Sequence, residues 1–299
     1  MSDAAQGELL NHEVFTTPLK VEPKYENWPT PPNYRMYPGG KEMPDTVKVW
    51  RVQDTGKDYG SVVSSGAGFI NAPDAEFLTL GYNVGKGPRD VGVSRQGNFL
   101  QWGYNGSPKQ MTEAGKRFFI NCIVYIRKFD GKLPLIRRSS NDRSIAPMYA
   151  RLIPQINDAS FIEGLFGPGI RAKFKGEPKS YAEDLAKYLE ANMEFIYAGS
   201  GGFEVDEDLK GLGIASNRKL ETLEKLAALR GDALKRTTVD KILARYLDAK
   251  TATPATAGQW LADNRERIFF TDVGGYKFMA APKGYLTPAA ATSAATQAK

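Results

Sequence analysis

The stretch from Val91 to Gly131 constrains the rest of the chain most, because it holds a hairpin and an apolar helix that need a core to cover them. Residues 91–94 and 99–104 are rich in β-branched and aromatic side chains, and Gln96-Gly97-Asn98 between them offers the positive φ of a tight turn. Asn105-Gly106-Ser107-Pro108 then breaks the chain. Ser107, Pro108 and Gln110 fit an N-cap, a first-turn proline and an N3 partner, so a helix starts there or one turn later at Thr112-Glu113. Phe118, Phe119, Cys122, Ile123, Ile126 and Phe129 recur at helical spacing, and Ile120 and Val124 fill much of the other side. The spacing predicts a helix apolar nearly all round, buried in a sheet-and-helix core and stopped by Asp130-Gly131.

The residues on either side extend this to an architecture. Residues 1–46 carry seven prolines among Tyr25, Trp28, Tyr34, Met36 and Tyr37, which predicts an extended arm docked on the body or on a neighbouring subunit. Residues 47–52 alternate as a half-buried strand, and 61–64 and 76–80 are further strand candidates. After a linker at 132–144, apolar residues at helical spacing predict helices over 181–197, 217–228, 238–249 and 256–267, followed by a hairpin around Val273-Gly274-Gly275. The expected fold class is α/β: an arm at 1–46, a small sheet domain with a buried helix at 47–131, a mostly helical domain at 145–280 and a disordered tail at 281–299.

The phrase Arg95-Gln-Gly-Asn-Phe-Leu-Gln-Trp-Gly103, with the hairpin and helix around it, resembles the closing segment of ThuA-like domains, relatives of class I glutamine amidotransferases. The runs 49–53, 64–69, 94–103, 111–115, 205–208 and 269–276 together resemble an uncharacterised family of planctomycete-type bacteria. The first resemblance implies a partial amidotransferase-like sheet and makes a carbohydrate-active role worth carrying. The cysteine nucleophile and histidine partner of amidotransferases have no match, so their catalysis is not carried over.

Residue counts exclude several mechanisms. One cysteine, Cys122, forbids an intrachain disulfide and a multi-cysteine zinc site, and one histidine, His12, removes ordinary triads unless its segment folds back into a site. No cofactor is expected. No apolar run is long enough for a transmembrane helix. The start has no leader-like pattern, so the product is expected in the cytoplasm unless a leader was removed, in which case it is extracytoplasmic. The net charge of +6 is shared between solvated clusters, Lys132, Arg137, Arg138 and Arg143, then Arg171, Lys173, Lys175 and Lys179, without interleaved aromatics, so nucleic acid is not the expected partner. The loop at 81–89 lacks the glycine spacing of a phosphate loop.

No constellation in the sequence carries recognisable chemistry, and the acidic and polar residues offer only candidates. Asp206 and Asp208 fit the first positions of a calcium loop, but Lys210 and Asn217 stand where ligands are needed, so a helix start with favourable acids is the better account. Asp206 or Asp208 with Asp272 is the candidate carboxylate pair for a glycoside hydrolase. Arg95, Gln96, Asn98, Gln101 and Trp102 are candidates to line a ligand cleft at the sheet edge. The favoured function is a non-catalytic binding or protein-interaction protein with a carbohydrate or protein partner. The alternatives are a carbohydrate-active hydrolase or lyase using carboxylates alone, and a structural subunit of a homo-oligomer assembled through the N-terminal arm.

Overall fold

The computed structural model describes residues 1–6, 11–37, 39–57, 60–69, 72–156 and 158–285. The chain has the expected α/β composition and divides at Leu135/Ile136 into two compact units. No helix among the described residues is long and apolar enough to cross a membrane. The expectation of a disordered tail falls, beyond residue 285, outside the described residues.

In the first unit a six-stranded sheet runs in the order β2-β3-β1-β4-β5-β6. These strands are β1 (Ala4–Gln6), β2 (Tyr25–Pro29), β3 (Thr46–Arg51), β4 (Ala75–Gly81), β5 (Val91–Gln96) and β6 (Phe99–Trp102). All its pairings are antiparallel, so it contains no β-α-β crossover of the doubly wound kind. Residues 1–46 are not an arm outside the sheet. β1 lies in its middle, with Ala5 opposite both Trp50 and Gly81, a place only a small side chain fills beside a buried tryptophan. The prolines come after it. β2 takes the outer edge and ends on Pro29, where a missing N–H costs little of the ladder. Tyr34 is fully buried, with its hydroxyl accepting from the Gln6 amide and the Asn83 backbone N–H. Residues 61–63, expected as strand, contribute none, and Ser64 makes a lone bridge to Val91.

The β5–β6 hairpin closes through Gly97-Asn98 with Gln96 opposite Phe99. Gly97 has φ +54°, and a side chain there would reach Lys132 O at 2.5 Å. Helix α1 (Glu113–Ile126) begins at the later of the two expected starts, with Thr112 Oγ1 accepting from Gly115 N at 3.0 Å. Gly115 lets α1 approach β3, since a Cβ there would overlap Val52 O. Phe118, Cys122 and Tyr125 pack with Phe15, Trp50, Leu78, Val93 and Tyr104. The helix buries this face rather than its whole circumference, because only the sheet and the segment around Phe15 cover it; Ile120, Ile123 and Val124 remain 44%, 49% and 41% exposed.

The second unit holds α2 (Ala146–Leu152), α3 (Ala159–Leu165), α4 (Pro168–Lys173), α5 (Pro178–Ala191), the β7–β8 hairpin (Ile196–Gly199 and Gly202–Val205), α6 (Glu207–Gly211), α7 (Leu220–Leu229), α8 (Arg236–Tyr246), α9 (Ala257–Asn264) and the β9–β10 hairpin (Ile268–Thr271 and Lys277–Ala280). Its core joins Leu185 and Leu189 of α5, Leu223 and Leu226 of α7, Ile242 and Tyr246 of α8, and Phe270 and Phe278 of the last hairpin. The helix expected over 181–197 ends early at Asn192, and Ile196 and Tyr197 begin a strand instead. Glycines permit that hairpin: Gly202 has φ +109° and lies so close to Leu165 that a Cβ would overlap its backbone.

A buried acid network and an apolar crevice

Asp206 and Asp272 both lie inside the second unit, each about 1% exposed, and a chain of hydrogen bonds links them. Arg143 sets one end: its Nε and Nη2 donate to the two Asp272 oxygens at 2.7 Å each, and its Nη1 donates to Asn217 Oδ1 at 2.8 Å and to Met193 O at 3.1 Å. The Asn217 amide donates to Ile196 O and to the Tyr246 hydroxyl. Tyr246 in turn donates to Asp206 Oδ2 at 2.6 Å, and Arg245 Nη1 stands 2.5 Å from the same oxygen. Asp206 Oδ1 accepts from Leu209 N and so caps α6, as the sequence leads one to expect of acids at a helix start.

These acids do not face each other across a cleft. Each carboxylate is occupied by arginine, tyrosine or backbone donors, which is the form a buried charge must take to avoid a large desolvation cost. Asp208 is half-exposed and paired with Lys241 and Arg245. Hydrogen bonding from Lys241 holds its carboxyl below the usual range, burial opposing and Arg245 adding. Asp142 stands at the network's edge, where burial and then the Asp272 charge push its carboxyl up. Among the described residues no group of three or more His, Cys, Asp or Glu side chains is placed to hold a metal.

The sheet-edge candidates separate in the same way. Arg95 is buried: its Nη1 donates to Asp74 O at 3.0 Å and Gly97 O at 2.9 Å, its Nε to Glu76 at 2.5 Å, and its guanidinium stacks 3.7 Å from the Phe129 ring centre. Gln101 bonds Ser64. Trp102 packs against Tyr104 and Phe119 at ring separations of 5.5 and 4.8 Å. Asn98 is exposed at the turn, with its backbone N–H on Lys132 O, and Gln96 is half-buried on β5. Trp102 thus holds the hairpin to α1, Arg95 ties it to β4 and Phe129, and neither lines an open cleft.

His12 does fold back onto the body, an outcome its position in a polar segment left open. Its Nδ1 accepts from Val14 N at 3.3 Å, and its Nε2 lies 3.4 Å from Glu76 Oε2. Tyr125 donates to the same carboxylate, and burial pushes the Tyr125 hydroxyl up. Burial alone would raise the Glu76 pKa; hydrogen bonds from His12, the Arg95 charge and Tyr125 reverse this and hold it at about 2. Both histidine nitrogens are engaged and the ring packs edge-on against Tyr125 at 5.1 Å, so the cluster pins the N-terminal segment to β4. Cys122 is buried, its thiol pushed up by desolvation.

An open concavity lies elsewhere, between α3, α4 and α5. Phe166, Ile170 and Leu185, all nearly fully buried, form its floor, and Ile162, Phe174, Pro178 and Tyr181 form its walls. Glu163 and Arg171 line it as the charged residues, and its volume is about 180 Å³. Local chemistry fixes the walls. Asp158 caps α3 by accepting from Ser160 N and Phe161 N, and Gly167 N donates to Phe203 O at 2.8 Å. Gly169 N donates to Glu204 Oε1 at 2.9 Å, tying α4 to β8. Phe174 meets Tyr181 and Tyr188 edge-on or tilted, at ring separations of 5.8 and 5.5 Å.

Of the cations in this segment, Lys173 pairs with Glu207. Arg171, Lys175 and Lys179 are exposed and form no ion pair among the described residues. Lys175 directly follows the wall residue Phe174, and Lys179 directly follows Pro178. The charge pattern of these cations alone suggests a solvated face and gives no sign of the crevice. The signal in the sequence is the recurrence of apolar Phe166, Ile170, Phe174 and Pro178 among the cations Arg171, Lys175 and Lys179.

No family model, curated protein or solved structure matches the chain.

Proposed function

We propose that this is a non-catalytic binding protein whose second unit captures an acidic protein segment by seating one apolar side chain between α3, α4 and α5. The observation that carries the reading is the crevice itself: an apolar floor and walls, with Arg171, Lys175 and Lys179 left without a carboxylate partner among the described residues. Size supports a side chain as the occupant. A cavity of about 150 Å³ accepts benzene, whereas sites for whole small molecules run from roughly 300 Å³ upward. The crevice, at about 180 Å³, suits one leucine, methionine or phenylalanine. Such a pocket-filling anchor supplies much of the energy of a protein interface, while surrounding cations steer an acidic partner and set its register.

The test is fluorescence polarisation with short labelled peptides rich in Asp and Glu, carrying one central Phe, Leu or Ala. The reading expects binding with Phe or Leu, loss of roughly tenfold or more on changing the anchor to Ala, and weakening in Arg171→Glu. Equal binding of the Ala peptide and its Phe counterpart overturns the anchor, and binding unchanged in Arg171→Glu overturns the rim.

A further inference from the structure

The outward side of α1 carries a second, separate message. Lys116, Ile120 and Ile123 of α1, Arg127 in the 3-10 turn that continues it and Asp130 just past that turn follow one another in alternating steps of four and three, close to the 3.5-residue period of a helix seam. The inward side is already satisfied by the sheet, through Phe118, Cys122 and Tyr125. The outward side leaves Ile120 and Ile123 44% and 49% exposed, with Val124 beside them at 41%. Three neighbouring aliphatic residues left in water on one helix face mark a contact surface.

Charge selects what covers it. Lys116 and Asp130 form no ion pair among the described residues, and they stand at equal sequence distance on either side of Ile123. We propose that the occupant is a second copy of this chain, docked through α1 in an antiparallel two-fold pair centred on Ile123. Ile123 then meets its own copy on the axis, and Ile120 packs under the aliphatic stem of the other copy's Arg127. Lys116, about 10 Å along α1 from Ile123, faces the other copy's Asp130 at both ends. A parallel pairing would instead set lysine on lysine and aspartate on aspartate, and an all-acidic partner would leave Asp130 opposed by like charge. One helix face is a small interface, so the dimer is weak, with a dissociation constant on the order of micromolar.

Sedimentation equilibrium of the full chain over a wide concentration range tests this. The wild type is expected to move from the 32.9 kDa monomer toward twice that mass. Ile123→Lys should weaken association at least tenfold, as loss of a central apolar contact does. Lys116→Asp should weaken it roughly tenfold, and Lys116→Asp with Asp130→Lys in the same chain should restore it. Ile123 lies in the exposed seam, so circular dichroism of each variant should match the parent and keep a folding defect from imitating the result. A monomer at every concentration overturns the proposal. So does a dimer that survives Ile123→Lys, or a charge swap that fails to rescue.

Discussion

Asp272→Asn is the sharpest perturbation of the buried network. The substitution keeps shape and volume but removes the charge that neutralises Arg143 and turns one acceptor oxygen into a donor aimed at the guanidinium or the Arg143 N–H. Wild-type Asp272 accepts from Arg143 Nε and Nη2 at 2.7 Å and from its backbone N–H at 3.1 Å. Breaking one partner of a buried pair costs about 3–5 kcal/mol, because the remaining charge stays in the interior without compensation. Asp142 offsets part of this: the Asp272 charge pushes its carboxyl up, and that repulsion disappears in the variant. The expected loss is therefore at the lower end, about 3 kcal/mol. It is read by urea titration with hydrogen exchange resolved to β9–β10, since the two units need not unfold together. With a slope of roughly 1–3 kcal/mol per molar urea, the midpoint falls by about 1–3 M. The double variant Arg143→Met, Asp272→Leu replaces the pair by apolar groups and should be more stable than Asp272→Asn alone. A single variant within about 0.5 kcal/mol of the parent, the range of an ordinary surface change, refutes the claim that this acid is structural.

Other perturbations separate the remaining parts of the account. Glu76 has its pKa depressed to about 2 from 4.5, so its contribution is complete above pH 4.5 and is lost as pH falls toward 2. At 1.36 kcal/mol per unit this amounts to about 3 kcal/mol, and Glu76→Gln should flatten that part of a stability-against-pH curve measured by thermal unfolding. Gly115→Ala gains about 1 kcal/mol of helix propensity but sets a methyl onto Val52 O. Separating α1 from β3 costs about 1–3 kcal/mol, so a net loss in the urea midpoint is expected. Cys122, desolvated and raised in pKa, should react with a thiol reagent only at the rate of unfolding, measurable by varying denaturant at fixed reagent.

Local rules made part of this fold legible and tertiary pairing hid the rest. The β5–β6 hairpin was readable because Gly97 must take a positive φ between two apolar runs, and the start of α1 because Thr112 caps it; the α-helix ends at Ile126, before the expected stop, and a 3-10 turn over Arg127–Phe129 carries the chain on to Gly131. β1 was not readable, since Ala4-Ala5-Gln6 has no strand preference of its own and becomes a strand only between β3 and β4. Ile196 and Tyr197 continue the apolar period of α5, so nothing local warned of the strand that begins there. Arg143, counted among the exposed basic residues of a linker, is the centre of a buried network, because burial depends on Asn217 and Asp272 far along the chain. Asp206 and Asp272, which as residue types suggest a carboxylate pair, are each taken up by donors of this network. The crevice draws on α3, α4 and α5, and only contact among them reveals that its floor is shared.

The measurement that bears most directly on the central claim is the binding of the acidic Phe-anchored peptide to protein labelled for amide chemical-shift mapping. The account predicts shifts concentrated on residues 162–185, lost when the anchor becomes Ala and weakened in Arg171→Glu. Shifts that instead gather around Asp272 and Asp206, or the absence of any shift at millimolar peptide, would contradict it.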